Sequence, residues 1–474
     1  MKRYLKTSLL IKIICIYVVI ITLFYRIAYH QINYSRYDQT GVAGDGTIGE
    51  IVDGKIIKQE FQYKGDYIGT IRIKVGTYAR SNTGLLHISL KETKRNHTIW
   101  TSVYDVAALE DNSMLELEIG QKLPQDTAAY SLEIMSEGCN EKNAVTIYSS
   151  SQANVHKGVL SIGNTELLSE LEMNILGDKS NACGRYYWFY VTLAGICLVA
   201  FYIAQMKKEK RGKESVLHSI CNTIDTYKFM IKQLVSRDFK TKYKRSVLGA
   251  CWSFLNPLLT MAVQYVVFST IFRSNIENYP VYLLSASILF NFFTESVGGG
   301  LVSIVGNASL IKKVYVPKYI YPVTKVLSTL INLLISMLPL LVVILITGEK
   351  INRAYLLIPY VVLCLFLFCV GMSLILSSLM VFFRDIQFLW GIISLLWMYA
   401  TPMFYPESII PERFHFILDM NPMYHYISFF RNILLEYASP QMSEYAFCMA
   451  FSVFFCVVGA WIFRHSQKKF VLYL

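Results

Sequence analysis

The sequence predicts an all-α membrane body of six spans, preceded by two further spans that flank an all-β extracytoplasmic sandwich. Three observations carry that expectation. Hydrophobic residues make up 54% of the 474-residue chain and charged residues only 16%, too few ionisable groups for an ordinary soluble surface. The apolar residues gather in runs near the roughly 20 residues a helix needs to cross a hydrocarbon core with its backbone satisfied internally. Between the first two runs lies a long polar segment whose apolar residues alternate with the period of a strand.

Eight stretches approach the length of a span: Ser8 to Tyr25, Tyr186 to Ala204, Cys251 to Phe272, Val281 to Val302, Val323 to Ile346, Tyr355 to Phe382, Phe388 to Ala400, and Tyr445 to Phe463. The seventh is short. The first follows Lys2, Arg3 and Lys6 as a secretory signal would, but Tyr25, Arg26, Tyr29 and His30 stand where a small-residue cleavage site belongs, so it is expected to remain as an anchor. The net charge of +12 does not read as a nucleic-acid footprint, because the basic residues sit at the ends of spans rather than on one soluble face. They set topology instead: the amino-terminal lysines and arginine, then Lys207, Lys208, Lys210, Arg211 and Lys213, mark cytoplasmic ends. Continuing the alternation places both termini in the cytoplasm of a multi-pass plasma-membrane protein, with residues 31–185 outside.

This organises the chain as a tail and anchor over 1–30, an external domain over 31–185, a second span and basic linker over 186–223, and a six-span body over 224–474. In the external domain Ile71, Ile73 and Val75 alternate with Arg72 and Lys74, Leu86, Ile88 and Leu90 with His87 and Ser89, and Leu115, Leu117 and Ile119 with Glu116 and Glu118. Half-buried antiparallel strands in a sandwich account for this. A helix-like stretch is expected from Thr165 to Leu176. The ten cysteines form no C-x-x-C pair and the histidines no ligand spacing, so no metal site is expected; Cys139 and Cys183 are the two thiols placed outside, where a disulfide between them is possible.

Thr77 to Gly84, together with Asp111, Asn112 and the Tyr130 to Tyr148 strand pair, resembles jelly-roll domains on bacterial membrane proteins of polysaccharide pathways. That resemblance makes Tyr78, Trp100 and Tyr104 candidate glycan contacts, with Tyr63 and Tyr67 nearby in sequence. Core filling is the competing role for such rings.

From Ile224 to Val235, apolar Ile224, Tyr227, Ile231, Leu234 and Val235 recur at helical spacing between Asp225, Lys228, Lys232 and Gln233, the pattern of an amphipathic helix at a membrane face. Then come Arg237-Asp238-Phe239-Lys240, Tyr243-Lys244-Arg245-Ser246-x-Leu248-Gly249-x-x-Trp252 and Asn256-Pro257-Leu258. Tyr279-Pro280, Asn307 to Lys318, Phe383-Arg384-Asp385, Thr401-Pro402-x-x-Tyr405-Pro406 and Asn421-Pro422 follow in order. This series resembles the ABC-2 type permeases that export teichoic acids, O-antigens and related polysaccharides. The resemblance covers roughly Ile224 to Leu474 and leaves out the first two spans and the external domain.

The resemblance implies a transport subunit rather than an enzyme, working as a homodimer on a lipid-linked glycan, with ATP bound by a separate ABC ATPase. No phosphate-binding loop exists here to hold ATP; the Gly298-Gly299-Gly300 run lies in a span without the required lysine. The ATPase is expected at the cytoplasmic segment carrying Asn307, Leu310, Ile311, Lys312, Lys313, Val314 and Tyr315, with Ile311 and Val314 as the seated face, braced by Arg384 and Asp385. A translocation path is expected along Ser287, Asn291 and Glu295, along Tyr265, Phe268 and Phe272, and along Trp390, Trp397 and Thr401, since an intramembrane carboxylate such as Glu295 needs a partner or a wet cavity. Helix packing is the competing role for each of them. Two other readings stay open: a permease for a drug or small lipid, and a membrane glycosyltransferase or ligase.

Overall fold

The computed structural model describes residues 7–95, 97–124, 129–151, 155–163, 165–211, 216–243, 248–272, 278–313, 316–349, 351–436 and 439–474. It divides into two units, residues 32–188 and the remainder of the chain.

The first unit is built on strands β1 (Ile57–Gln62), β2 (Tyr67–Gly76), β3 (Leu85–Glu92), β4 (His97–Asp105), β5 (Ser113–Lys122), β6 (Ala129–Glu137), β7 (Thr146–Ser150) and β8 (Met173–Ser180). One sheet is centred on β2, which pairs with β5, β7 and β8. The other runs β1-β6-β3-β4 and continues past β1 into short strands at Leu160–Ile162 and Thr165–Leu167. Every ladder among these strands is antiparallel. The period-two apolar residues meet in one core: Ile71, Ile73, Val75 and Leu117 come from the first sheet, Leu86, Ile88, Leu90 and Leu132 from the second. This is a sandwich with both inner faces apolar.

The helix expected from Thr165 to Leu176 is absent. Its residues form the strand Thr165–Leu167, the strand Glu170–Leu171 and the start of β8. Leu171, Met173 and Ile175 are buried at every second position, and Ile175 lies opposite Ile71 on β2, so the alternation outweighs the helix-forming residues between. Cys139 is a free thiol, buried against the Thr83 carbonyl at 3.5 Å, with its pKa raised by that burial. The Cys183 side chain lies outside the described residues.

The second unit is helical: α1 (Thr7–Ile27), α2 (Tyr187–Lys210), α3 (Val216–Tyr243), α4 (Trp252–Phe272), α5 (Tyr279–Gly306), α6 (Ala308–Lys313), α7 (Ile320–Thr347), α8 (Ile358–Phe382), α9 (Ile386–Ala400), α10 (Pro422–Leu434) and α11 (Met442–Ser466). Among the described residues six helices are long and apolar enough to cross a membrane, namely α1, α2, α5, α7, α8 with the turn before it, and α11; α4 and α9 are shorter apolar helices. The eight expected stretches all fall on these eight helices.

The centre of the unit is α5, whose buried residues run from Tyr279 to Ile304. The other most enclosed helix is α8, packed along α5 and α11. Small residues set that closeness. A Cβ added to Gly371 of α8 would collide with the Phe455 carbonyl of α11, and one on Gly459 of α11 with the Gly371 carbonyl. The obstacles are backbone, so no rotamer change relieves them. Gly371→Val is therefore expected to destabilise the unit by about 1–3 kcal/mol through overpacking. A lowered midpoint in thermal unfolding of the detergent-purified protein checks this; an unchanged midpoint would place the two helices further apart.

Candidate functional site

A polar cavity of about 780 Å³ opens among α4, α5 and α7. Asn291 and Glu295, four residues apart on α5, share one face, as do Asn332 and Ser336 on α7; Asn256 and Thr260 of α4 complete the lining. The cavity is reached by Lys242 from the end of α3. Its Nζ lies 2.7 Å from Glu295 Oε1, and the Asn332 amide donates to the same oxygen at 3.1 Å. The carboxylate within this span therefore has both a cationic partner and a polar cavity beside it. Lys242 and Glu295 keep 42% of their side-chain surface exposed, and an ion pair so open contributes only about 0–1 kcal/mol. The fold does not depend on it.

At one end of α5 its terminal turn is tied to α3. Arg237 donates to the Asn307 side chain at 3.4 Å and pairs with Asp238, which also takes Lys325 of α7 at 2.9 Å. The α3 helix is longer than the stretch from Ile224 to Val235, because no Gly or Pro interrupts it from Val216 to Tyr243. Tyr227, Met230, Ile231 and Leu234 pack on the core of the helical unit, while Ile224 and Phe229 stay exposed. Further along, Lys318 donates to the Gln467 carbonyl at 2.6 Å and lies over the Phe470 ring, and burial pushes its pKa below the usual range.

The helix α6 corrects one expectation. Ile311 is 9% exposed and belongs to the unit's own core, with Leu310 packed beside it, so Ile311 is not a free apolar face for a partner. Lys312 and Lys313 are exposed, as are Arg384 and Asp385. Val314 and Tyr315 lie outside the described residues.

At the other end of α5 the chain from Thr401 to Pro406 has no regular structure, and its carbonyls are capped by side chains. Arg431 of α10 donates from Nη1 to the Pro402 carbonyl at 2.8 Å and from Nη2 to Met403 at 2.9 Å and Tyr282 at 3.2 Å. The Tyr279 hydroxyl donates to Phe404 at 2.6 Å and that of Tyr282 to Tyr405 at 2.8 Å. The guanidinium also stacks on Tyr282, 3.4 Å from the ring centre, a cation–π contact. Sequence reasoning missed Arg431, although an arginine inside an apolar helix flanked by Phe429, Phe430 and Ile433 is itself the signal of a buried partner set.

The remaining residues expected along a path divide between the cavity and the packing. Ser287 donates to Gln264 of α4 at 3.1 Å. Tyr265 is exposed, Phe268 stacks on Phe404 at 4.8 Å, and the Phe272 side chain lies outside the described residues. Trp390 and Trp397 sit edge-on to Phe293, and Trp397 and Thr401 both bond Asn421, at 2.7 and 2.8 Å. Trp390 and Trp397 do not line this cavity, and Thr401 borders a second one beside Arg431. In the β unit, Trp100 and Tyr104 lie opposite Leu90 and Leu86 and are partly buried on that inner face, which is a packing position. Tyr63 is fully buried. Tyr78 is the exposed ring, held at φ 57° with the Arg80 guanidinium 4.9 Å above it.

An enclosed helical bundle with a charged polar cavity beside its central helix defines a membrane transport domain. Residues 230–435 match the family described as ABC-2 type transporter. The chain is 31% identical to the O-antigen export system permease protein RfbA of Myxococcus xanthus over 246 residues, 52% of this chain and 95% of that protein. It is 30% identical to a protein of the same name from Klebsiella pneumoniae over 239 residues, 50% of this chain and 92% of that one. The capsule polysaccharide export inner-membrane protein CtrC of Neisseria meningitidis is 23% identical over 226 residues, covering 46% of this chain and 84% of that protein. The chain belongs to the ABC-2 type transporter family, among the permeases of polysaccharide and O-antigen export. The family match begins at residue 230, so the β unit lies outside it.

Two substitutions separate cavity from scaffold. Glu295→Gln is expected to shift stability by less than about 1 kcal/mol, whereas Arg431→Leu leaves buried carbonyls uncapped at about 1–3 kcal/mol each. Thermal unfolding in detergent checks both; equal effects would refute the division.

Proposed function

We propose that this chain is the membrane-spanning permease subunit of an ABC exporter that moves a lipid-linked polysaccharide or teichoic-acid-like polymer outward across the plasma membrane. The observation that carries this reading is the cavity at Lys242, Glu295 and Asn332, an ionic and amide lining beside the central helix of a family member whose relatives are named for O-antigen and capsule polysaccharide export. Two copies of the chain form the conduit between them. A separate ABC ATPase binds and hydrolyses ATP, and this chain makes or breaks no covalent bond. Both termini are cytoplasmic and the β unit is extracytoplasmic. There the exposed Tyr78 ring, with Arg80 beside it, is the best placed of the three aromatics to meet glycan.

The ATPase docks on the exposed face of α6, presented by a helix whose apolar residues face inward. Lys312 and Lys313 are outside the core, so Lys312→Glu with Lys313→Glu leaves the fold intact and reverses the charge offered to the partner. Copurification of the ATPase is expected to fall at least fivefold with the permease still inserted; unchanged copurification would move the docking site to α3.

The export reading itself is tested by Glu295→Gln. Cells relying on that variant are expected to retain polymer inside at normal permease levels, measured as the ratio of intracellular to surface glycan. Surface glycan at the wild-type ratio would remove the cavity from the path.

A further inference from the structure

A second cavity, of about 310 Å³, lies beside α10 and the irregular segment that Arg431 caps. It is separate from the first: the two share no lining residue, and on α5 Tyr282 borders it whereas Ile288, Asn291 and Glu295 border the other, which puts their nearest α5 residues about 9 Å apart at 1.5 Å per residue. Its volume is at the lower end of the range for small-molecule sites, about 300–1,000 Å³, enough for one ring-sized ligand rather than a chain.

The lining is unusual for a helical membrane unit. Tyr424, Ser428, Asn432 and Glu436 recur every four residues and so form one polar stripe along α10 and its end, with Glu407 facing them through its bond to the Tyr424 hydroxyl at 2.8 Å. Neither Ser428, Asn432 nor Glu436 makes a side-chain hydrogen bond to another described residue, and Glu436 is exposed. Unspent hydroxyl, amide and carboxylate groups gathered on one cavity wall are what a polyhydroxyl ligand requires, since each of its hydroxyls both donates and accepts. An anion is disfavoured. The cavity holds two carboxylates, and its one cation, Arg431, has both terminal nitrogens committed to the carbonyls of Pro402, Met403 and Tyr282, while its Nε, which has no partner among the described residues, is buried out of reach of a ligand.

We propose that this cavity is a monosaccharide-binding subsite for a neutral or amino sugar unit of the glycan, with Ser428, Asn432, Glu436 and Glu407 as its hydrogen-bonding groups. This rests on the polysaccharide-export reading and adds to it a sugar class and a second station along α5. Glu407 and Glu436 accept from ring hydroxyls or an amino group, Asn432 both donates and accepts, and the absence of a free cation among the described lining residues turns acidic sugars away.

The test is saturation-transfer NMR on the full-length chain in lipid nanodiscs, with methyl glucopyranoside, methyl N-acetylglucosaminide and methyl glucuronide as probes. The first two are expected to show transfer and the glucuronide at least fivefold less. Ser428→Ala with Asn432→Ala should reduce the neutral-sugar signal at least fivefold. Should that pair fail to fold, Glu436→Gln, at an exposed position, should lower it at least threefold. No signal from the wild-type chain, equal signal from the glucuronide, or signal unchanged in a folded variant would each overturn the subsite. Surface glycan in the same cells separates the two ideas: absent binding with export intact sinks only the subsite, while export that survives loss of the whole chain sinks the reading beneath it.

Discussion

Irregular backbone within an apolar bundle is stable only where protein or water satisfies its polar groups, and here Arg431 meets that constraint for the segment after α9. Its two terminal nitrogens reach three carbonyls, and the hydroxyls of Tyr279 and Tyr282 reach two more. These bonds join α10 to the start of α5. Because α5 is the core of the helical unit and lines the large cavity farther along, the position of that cavity follows from how this end is fixed. The ring of Tyr282 beneath the guanidinium helps a charge persist where water is scarce.

Much of this was legible in the residues. Length and hydropathy located the eight apolar helices found among the described residues, since the rule that backbone must bond within its own segment leaves helices few alternatives. Alternation placed Ile71, Ile73, Val75, Leu86, Ile88 and Leu90 in the sandwich core, where all are buried. What escaped was relational. Ile311 read as part of a docking face because it stands three residues from Val314 in a segment that mixes apolar and basic residues, but a helix of six residues still has an inner side, and Ile311 is on it. From Thr165 to Leu176 two periods compete, and pairing decides between them: with Leu160–Ile162 for the first residues, with β7 for Glu170 and Leu171, and with β2 from Met173 on.

Tryptophans show the same limit. Trp390 and Trp397 are spaced as a stripe would be, yet the structure sets both edge-on to Phe293 and bonds one to Asn421. Spacing says which residues share a helix face, and says nothing of whether that face meets a cavity or a neighbour. Glu295 was informative for a different reason: a carboxylate in an apolar helix has few tolerable surroundings, so chemistry narrowed what geometry left open.

The run Gly298, Gly299 and Gly300 carries a consequence of its own. Side chains added there would come against three different neighbours: Gly298 against Trp390 of α9 at 3.6 Å, Gly299 against Lys325 of α7 at 3.7 Å, and Gly300 against Ser373 of α8. One short stretch of α5 thus faces three different helices, with the close approach at Gly300 against α8. Beyond it lie about 9 Å of helix toward Gly306 and about 28 Å toward Tyr279, at 1.5 Å per residue. The Tyr279 end is itself tied through Arg431 and the two tyrosines, so α5 is a rod pinned at two places, and the length carrying Asn291 and Glu295 is suspended between them: the polar cavity borders a span held at either end rather than a free arm.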